Sequence, residues 1–266
     1  MIHPRFFAVS FLFFIFFSCT KNYSQSNNKT KEDKKGTFLV NVINKAMLPE
    51  NISANLLKAT EVNPSFVSEI AAILQTDPYL WRLVDKKNSL GESYAPDDLV
   101  DLKSGSYIVN RTGLMLRKAA ADSLEEMAAA ARKEGVTLTA SSAYRSYSYQ
   151  VQVYERNVKE MGKEAADRES ARPGFSQHQL GLVVDFGSIS DAFTGTKEEV
   201  WLTQNAWRYG WSISFPEGME EVTGYRWESW HYRYAGKELA KFINDYFEGI
   251  QQYALQFLKE WNASNP

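Results

Sequence analysis

Two short stretches of this chain concentrate the residue types that hydrolytic chemistry needs. One runs Ser176-Gln177-His178-Gln179-Leu180-Gly181-Leu182-Val183-Val184-Asp185, and the other is Glu228-Ser229-Trp230-His231. The chain has only 3 histidines, and two of them fall here with carboxylates close by. Two neutral imidazole nitrogens and one anionic oxygen are a set that a catalytic Zn2+ accepts while keeping a fourth position for water. A further Glu beside the metal, rather than on it, can take that water's proton. The combination points to a zinc hydrolase. Each residue alone also has a plainer reading: His178 as a satisfied loop histidine, Asp185 as a turn cap, Glu228 as a charge among aromatics, Arg145 as a surface arginine.

Spacing makes demands on the fold. His178 and Asp185 are separated by an odd offset, so in one uninterrupted strand they would face opposite ways. They can meet at one metal if His178 lies in the approach loop or if the chain bends near Gly181, a residue that permits a bend or a close backbone approach. Asp185 then projects from the strand itself. Glu228 on the turn before a strand starting at Trp230 can overhang a metal held by His231. The helical H-E-x-x-H arrangement of other zinc peptidases is absent.

The elements that must position these residues follow from propensity and periodicity. Alanine-rich Lys118–Lys133 is a strong helix former, with Gly135 as its stop. Residues 136–140 alternate like a strand and lead into Ser141-Ser142-Ala143-Tyr144-Arg145. A second helix is expected over 149–161, a polar loop over 163–173, a buried strand over 181–186, a loop over 187–197 and a helix around 198–209. Residues 79–84 and 94–102 read as extended and turn-rich. Residues 230–234 alternate again, with Trp230, Tyr232 and Tyr234 on one face and His231 and Arg233 on the other. Leu239, Phe242, Ile243, Tyr246, Ile250, Phe257 and Trp261 recur at helical spacing, which predicts one amphipathic closing helix over 237–261. Helices flanking a small antiparallel sheet make the class α+β.

Composition narrows the function. The formal charge of -2 offers no basic field for nucleic acid. Arg5 leads into an apolar run over residues 6–17, the length of a signal segment and too short to span a bilayer comfortably. The run ends at Ser18-Cys19, and Cys19 is the only cysteine. A small residue followed by Cys resembles a bacterial lipoprotein processing site, although Phe16 departs from the commonest pattern there; an ordinary secretory signal is the alternative. A lone cysteine rules out internal disulfides and any cysteine ligand in the mature domain. The expected organisation is a lipoprotein signal peptide over 1–18, a flexible tether over 19–36, an N-terminal extension over 37–78 and the catalytic domain over 79–266, the whole exported and lipid-anchored to the cell envelope.

Three ordered blocks carry a family resemblance: Ser142-Ala143-Tyr144-Arg145-Ser146-Tyr147 with Gln150, Pro173 through Phe186, and Glu228-Ser229-Trp230-His231-Tyr232-Arg233-Tyr234. Over roughly residues 79–246 the chain resembles the VanY-type D-alanyl-D-alanine carboxypeptidases, zinc peptidases of the LAS type that act on bacterial cell-wall peptides. The resemblance implies a LAS-type fold with a zinc cleft, and His178, Asp185 and His231 as ligands of Zn2+. It implies Glu228 as general base, Arg145 on the scissile carbonyl oxygen, and Gln150 and Ser176 on the substrate's C-terminal residue. Ser229 stands where relatives often carry proline. The expected activity is D,D-carboxypeptidase action on peptidoglycan stem peptides, with L,D-carboxypeptidase or D-Ala-D-Ala dipeptidase action as alternatives. A cell-wall-binding lipoprotein is the non-enzymatic alternative, and a zinc-scavenging one is disfavoured by the lack of His-rich tracts.

Overall fold

Alternation along Val183-Val184-Asp185-Phe186 sends Val184 and Phe186 to one side of a sheet and Val183 and Asp185 to the other. The hydrophobic core forms on the first side. In a computed structural model, residues 36–264 are described; Cys19, the signal-like run and most of the expected tether lie outside them. The chain separates into two units, residues 1–41 and 42–266. Of the first, residues 36–41 are helical. The second carries the sheets, the surrounding helices and the cleft.

Seven strands occur among the described residues: β1 (Leu99–Asp101), β2 (Ile108–Val109), β3 (Met115–Arg117), β4 (Thr139–Ser142), β5 (Val183–Phe186), β6 (Trp211–Ile213) and β7 (His231–Tyr234). β1 and β3 form a small antiparallel ladder, and the main sheet has the order β2-β4-β5-β7-β6. Its pairs are antiparallel apart from β2 with β4 at one edge. The expected α+β architecture with a small antiparallel sheet is therefore present, with one parallel edge pair added.

The helix Lys118–Lys133 covers the core side of the sheet. Ala120, Leu124, Met127, Ala128 and Ala131 recur on one of its faces and are fully buried. They join Ala140, Val184, Phe186, Trp211 and Tyr232 in one cluster. The opposite side of the sheet presents Asp185, His231 and Arg233, all buried. Arg233 Nη2 donates to the carbonyls of Tyr79 (3.0 Å), Leu80 (3.1 Å) and Arg82 (2.8 Å), which ties residues 79–82 to β7. Burial pushes that guanidinium down to about 9.

Helices Glu50–Val62 and Phe66–Leu74 occupy much of the segment before residue 79, and Phe66 packs on Phe242 and Tyr246 at 5.9 and 5.1 Å. No helix among the described residues is long and apolar enough to cross a membrane.

Several expected elements are corrected. The polar stretch after residue 162 contains a helix, Lys163–Glu169, because Lys, Glu, Ala and Arg are good helix formers whatever their polarity. The closing helix is two helices, Lys237–Tyr246 and Gln251–Ser264. The chain breaks between them at Glu248 and Gly249, both in the left-handed region, and the second helix folds back so that Phe257 meets Phe247 at 5.6 Å. Residues 79–81 belong to a single helical turn, Pro78–Trp81, rather than to an extended run. No sequence pattern predicts the short strands β2, β3 and β6, since two or three residues show no periodicity.

Gly181 ends the 3-10 turn Gln177–Leu180 that carries His178, at φ +69°. A Cβ there would lie 2.9 Å from Arg117 Cγ and 3.0 Å from Leu99 Cδ2. Gly181→Ala is expected to cost about 1–3 kcal/mol, read as a lower denaturation midpoint at unchanged slope. An unchanged midpoint would mean that the turn tolerates a side chain.

Candidate metal centre and cleft

Register sets the centre. Asp185 on β5 pairs directly with His231 on β7, so their side chains leave the sheet on the same face. His178 comes from the 3-10 turn before β5, the approach-loop solution to its odd offset from Asp185. Ser176 caps that turn by accepting the His178 backbone N–H at 3.3 Å. His178 Nε2 lies 3.1 Å from Asp185 Oδ2, and His231 Nδ1 lies 3.0 Å from Asp185 Oδ1. The two rings meet edge-on with centroids 5.0 Å apart.

Each imidazole has a partner behind it. His178 Nδ1 is 2.7 Å from the Ala143 carbonyl, and His231 Nε2 is 3.3 Å from Gln177 Oε1. These oxygens can only accept, so each ring places its N–H on the far side. The nitrogens that face Asp185 are then lone pairs. One donor atom from each of His178, Asp185 and His231 lies within 4.8 Å of the others. Three acceptors converging in a buried space are reconciled by a cation, and Asp185 Oδ1 has no hydrogen-bond donor.

Charge states agree. Burial lowers His178 to about 4, so it is neutral near pH 7. Burial alone would raise Asp185, but at the acid pH where it would titrate the charge of a protonated His178 more than offsets this and holds it below the usual carboxylate range. A neutral imidazole, as at His178, and an ionised carboxylate are the forms that bind a divalent ion.

Glu228 stands beside this set, its Oε2 3.4 Å from His231 Nδ1. It sits on the turn before β7, held by its own N–H to the Phe215 carbonyl (3.0 Å) and by the His231 N–H to its carbonyl (3.2 Å). Burial, then the charge of Asp185, raises its carboxyl well above the ordinary range. Ser229, the position at which the family resemblance leads one to expect proline, is buried with its hydroxyl 3.1 Å from that of Thr194. A side-chain tie thus braces this turn where a ring would have stiffened it.

Arg145 faces the same cleft from the segment after β4. Its Nη1 donates to Gln150 Oε1 at 2.8 Å and its Nη2 to Ser142 Oγ at 3.3 Å. Burial lowers its pKa, with Asp185 and Glu228 opposing. Ser176 also lines the cleft, a cavity of about 290 Å3. Gln150 does not. It is fully buried, and its amide nitrogen donates to the Ala171 carbonyl at 2.6 Å, so here it orients Arg145 rather than facing the cavity. Sequence reasoning did not single out Gln177 or Phe215, whose ring packs 4.7 Å from that of His231. Gln177 adjoins a candidate ligand, but nothing in its spacing predicts that its carbonyl reaches a strand 54 residues away.

A family model described as VanY, D-alanyl-D-alanine carboxypeptidase, matches residues 113–237. A D-alanyl-D-alanine carboxypeptidase of Enterococcus faecalis (strain ATCC 700802 / V583) is 31% identical over 228 residues, covering 81% of each chain. The structure of LdcB, an LD-carboxypeptidase, is 37% identical with a TM-score of 0.57, covering 63% of this chain and 85% of that one. A VanY D,D-pentapeptidase mutant in complex with Zn(II) is 30% identical with a TM-score of 0.56, covering 69% and 99%. The donor set of His178, Asp185 and His231 fits the same ion, and zinc is the cofactor of this centre.

Zinc at 100 times its dissociation constant should stabilise the protein by about 2.7 kcal/mol, seen as a rise in Tm that a chelator reverses. Asp185→Ala and His231→Ala are each expected to abolish that rise and the bound zinc measured by elemental analysis. Near-stoichiometric zinc in either variant would remove that residue from the ligand set.

Proposed function

The chain belongs to the VanY family of D-alanyl-D-alanine carboxypeptidases, and we propose that it is a zinc-dependent D,D-carboxypeptidase that removes the C-terminal D-alanine from peptidoglycan stem peptides. The observation that carries this reading is the convergence of His178, Asp185 and His231 with Glu228 beside them and Arg145 facing the same cleft. Zinc, when bound by the three ligands, supplies a Lewis acid and lowers the pKa of water to about 7.

The chain's own groups supply the rest. Glu228 is largely, though not wholly, buried and unusually basic for a carboxylate, so it can accept the proton of an attacking water and return it to the departing amine. Arg145 is pre-aimed by Gln150 and Ser142, so no reorganisation is needed when its guanidinium meets charge developing on the scissile carbonyl oxygen. The Ser176 oxygen accepts the His178 N–H, which leaves its hydroxyl proton to be donated into the cleft, toward the substrate's terminal carboxylate.

A second reading, L,D-carboxypeptidase action on tetrapeptide stems, draws support from the 37% identity to LdcB. The leaving residue is D-alanine in both; only the residue on the acyl side differs. We also propose that the protein is exported and held at the cell envelope by acylation of Cys19. This reading rests on the apolar run and Ser18-Cys19 in the sequence.

Mass spectrometry of the zinc-loaded enzyme with stem pentapeptide and tetrapeptide tests the reading. Loss of one alanine from the pentapeptide is the expected outcome, and loss from the tetrapeptide alone would move the enzyme to the L,D class. Glu228→Ala should keep its zinc and lose about 10²- to 10⁴-fold in turnover. Zinc lost together with activity would instead make Glu228 a structural residue.

A further inference from the structure

Beside the catalytic cleft lies a second hollow of about 350 Å3, separated from it by a common wall of Ser170, Phe175 and Tyr225. Its remaining lining is Lys86, Lys87, Asp167 and Arg172. We propose that this notch binds a free carboxylate of the substrate, carried by an acidic residue on the N-terminal side of the scissile bond. The proposal rests on the carboxypeptidase reading and deepens it.

Charge supports an anion. Asp167 is already engaged by Arg172 through two hydrogen bonds, at 2.9 and 2.8 Å, and by the Tyr154 hydroxyl at 2.7 Å. Glu220 nearby is held by Arg168 in the same bidentate manner. Those two pairs are internally neutral. Lys86 and Lys87 form no ion pair among the described residues, so the notch keeps an excess of positive charge.

The lysines are presented by a fixed turn. Asp85 is buried and accepts the backbone N–H groups of Lys87 (2.8 Å) and Asn88 (2.9 Å) and the Asn88 side chain (2.8 Å). Its other oxygen accepts Gln252 Nε2 at 2.9 Å. This carboxylate is thus engaged by donors within the fold and does not line the hollow. The Lys86 ammonium lies over the Tyr225 ring, 4.8 Å from its centre.

Distance matches a peptide. Tyr225 packs on Phe215 with centroids 4.9 Å apart, and Phe215 on His231 at 4.7 Å. With the 4.8 Å step to Lys86, its ammonium lies within about 14 Å of the His231 ring, a span of about four extended residues. An acidic side group one to three residues before the cleaved bond falls inside that reach, in a pentapeptide or a tetrapeptide.

The test uses two stem peptides that differ only in whether the α-carboxylate of the second residue is free or amidated. The zinc-loaded wild type should favour the free carboxylate about fivefold in kcat/KM, the scale of a solvent-exposed charge pair, and lose the preference at high salt. Lys86→Ala/Lys87→Ala should cleave both peptides at the rate of the amidated one, with zinc content unchanged, and Lys86→Arg/Lys87→Arg should restore the preference. A wild type indifferent to amidation, or a double alanine variant that keeps the preference, overturns the proposal. Equilibrium binding of the same peptides to zinc-loaded Glu228→Ala separates the two readings. A carboxylate preference in binding without cleavage by the wild type retains the notch and sinks the carboxypeptidase, and cleavage without preference does the reverse.

Discussion

Three lone-pair donors gathered in one buried space are the constraint around which this protein is organised. Two imidazole nitrogens face one carboxylate at 3.0 and 3.1 Å, and both ring N–H groups are committed behind them to carbonyl oxygens. Without a cation such a group of acceptors is mutually repulsive, and burial withholds the water that would otherwise screen it. The fold therefore holds apart, by packing, what electrostatics would rearrange. Orienting partners such as the Ala143 carbonyl and Gln177 define the centre as much as the ligands do.

The surrounding structure divides into parts that make the sheet stiff and parts that aim side chains over it. Packing of the helix Lys118–Lys133 against Val184, Phe186 and Tyr232 anchors β5 and β7 from one side, so Asp185 and His231 emerge from the other at a defined separation. Aiming is done by short irregular segments: the turn ended by Gly181, the Glu228 turn braced by Ser229 and Thr194, and the Arg145 segment tied through Gln150 to the Ala171 carbonyl. Such segments suit a site that must hold geometry without a long element, since each is locked by one or two specific hydrogen bonds.

The groups proposed for the chemistry and the rest of the cleft wall come from different elements. The groups proposed to activate water and receive charge lie on the sheet and its flanking turns. The rest of the cleft wall comes from the helices Tyr147–Met161 and Lys163–Glu169 and from the loop around Tyr225. Relatives described as LD-carboxypeptidase and as D,D-pentapeptidase share the overall architecture with this chain.

Much of the site was legible in the residues themselves. Ligand chemistry is a property of residue type, so the scarcity of histidine and the placement of His178, Asp185, His231 and Glu228 near one another announced a metal centre, and the odd offset together with Gly181 announced a bend. The helix Lys118–Lys133 was equally plain, because propensity and periodicity agree along it. Strands of two or three residues, the reversal at Glu248 and Gly249 and the inward turn of Gln150 were not, because each depends on partners distant in sequence. By itself the sequence determined which atoms could bind zinc and carry a proton. Only the tertiary structure decided that Asp185 and His231 stand in register, that Gln150 serves Arg145 and that Lys86 comes to lie over Tyr225. Register and long-range contact are set by the packing of whole elements, and no local pattern encodes them.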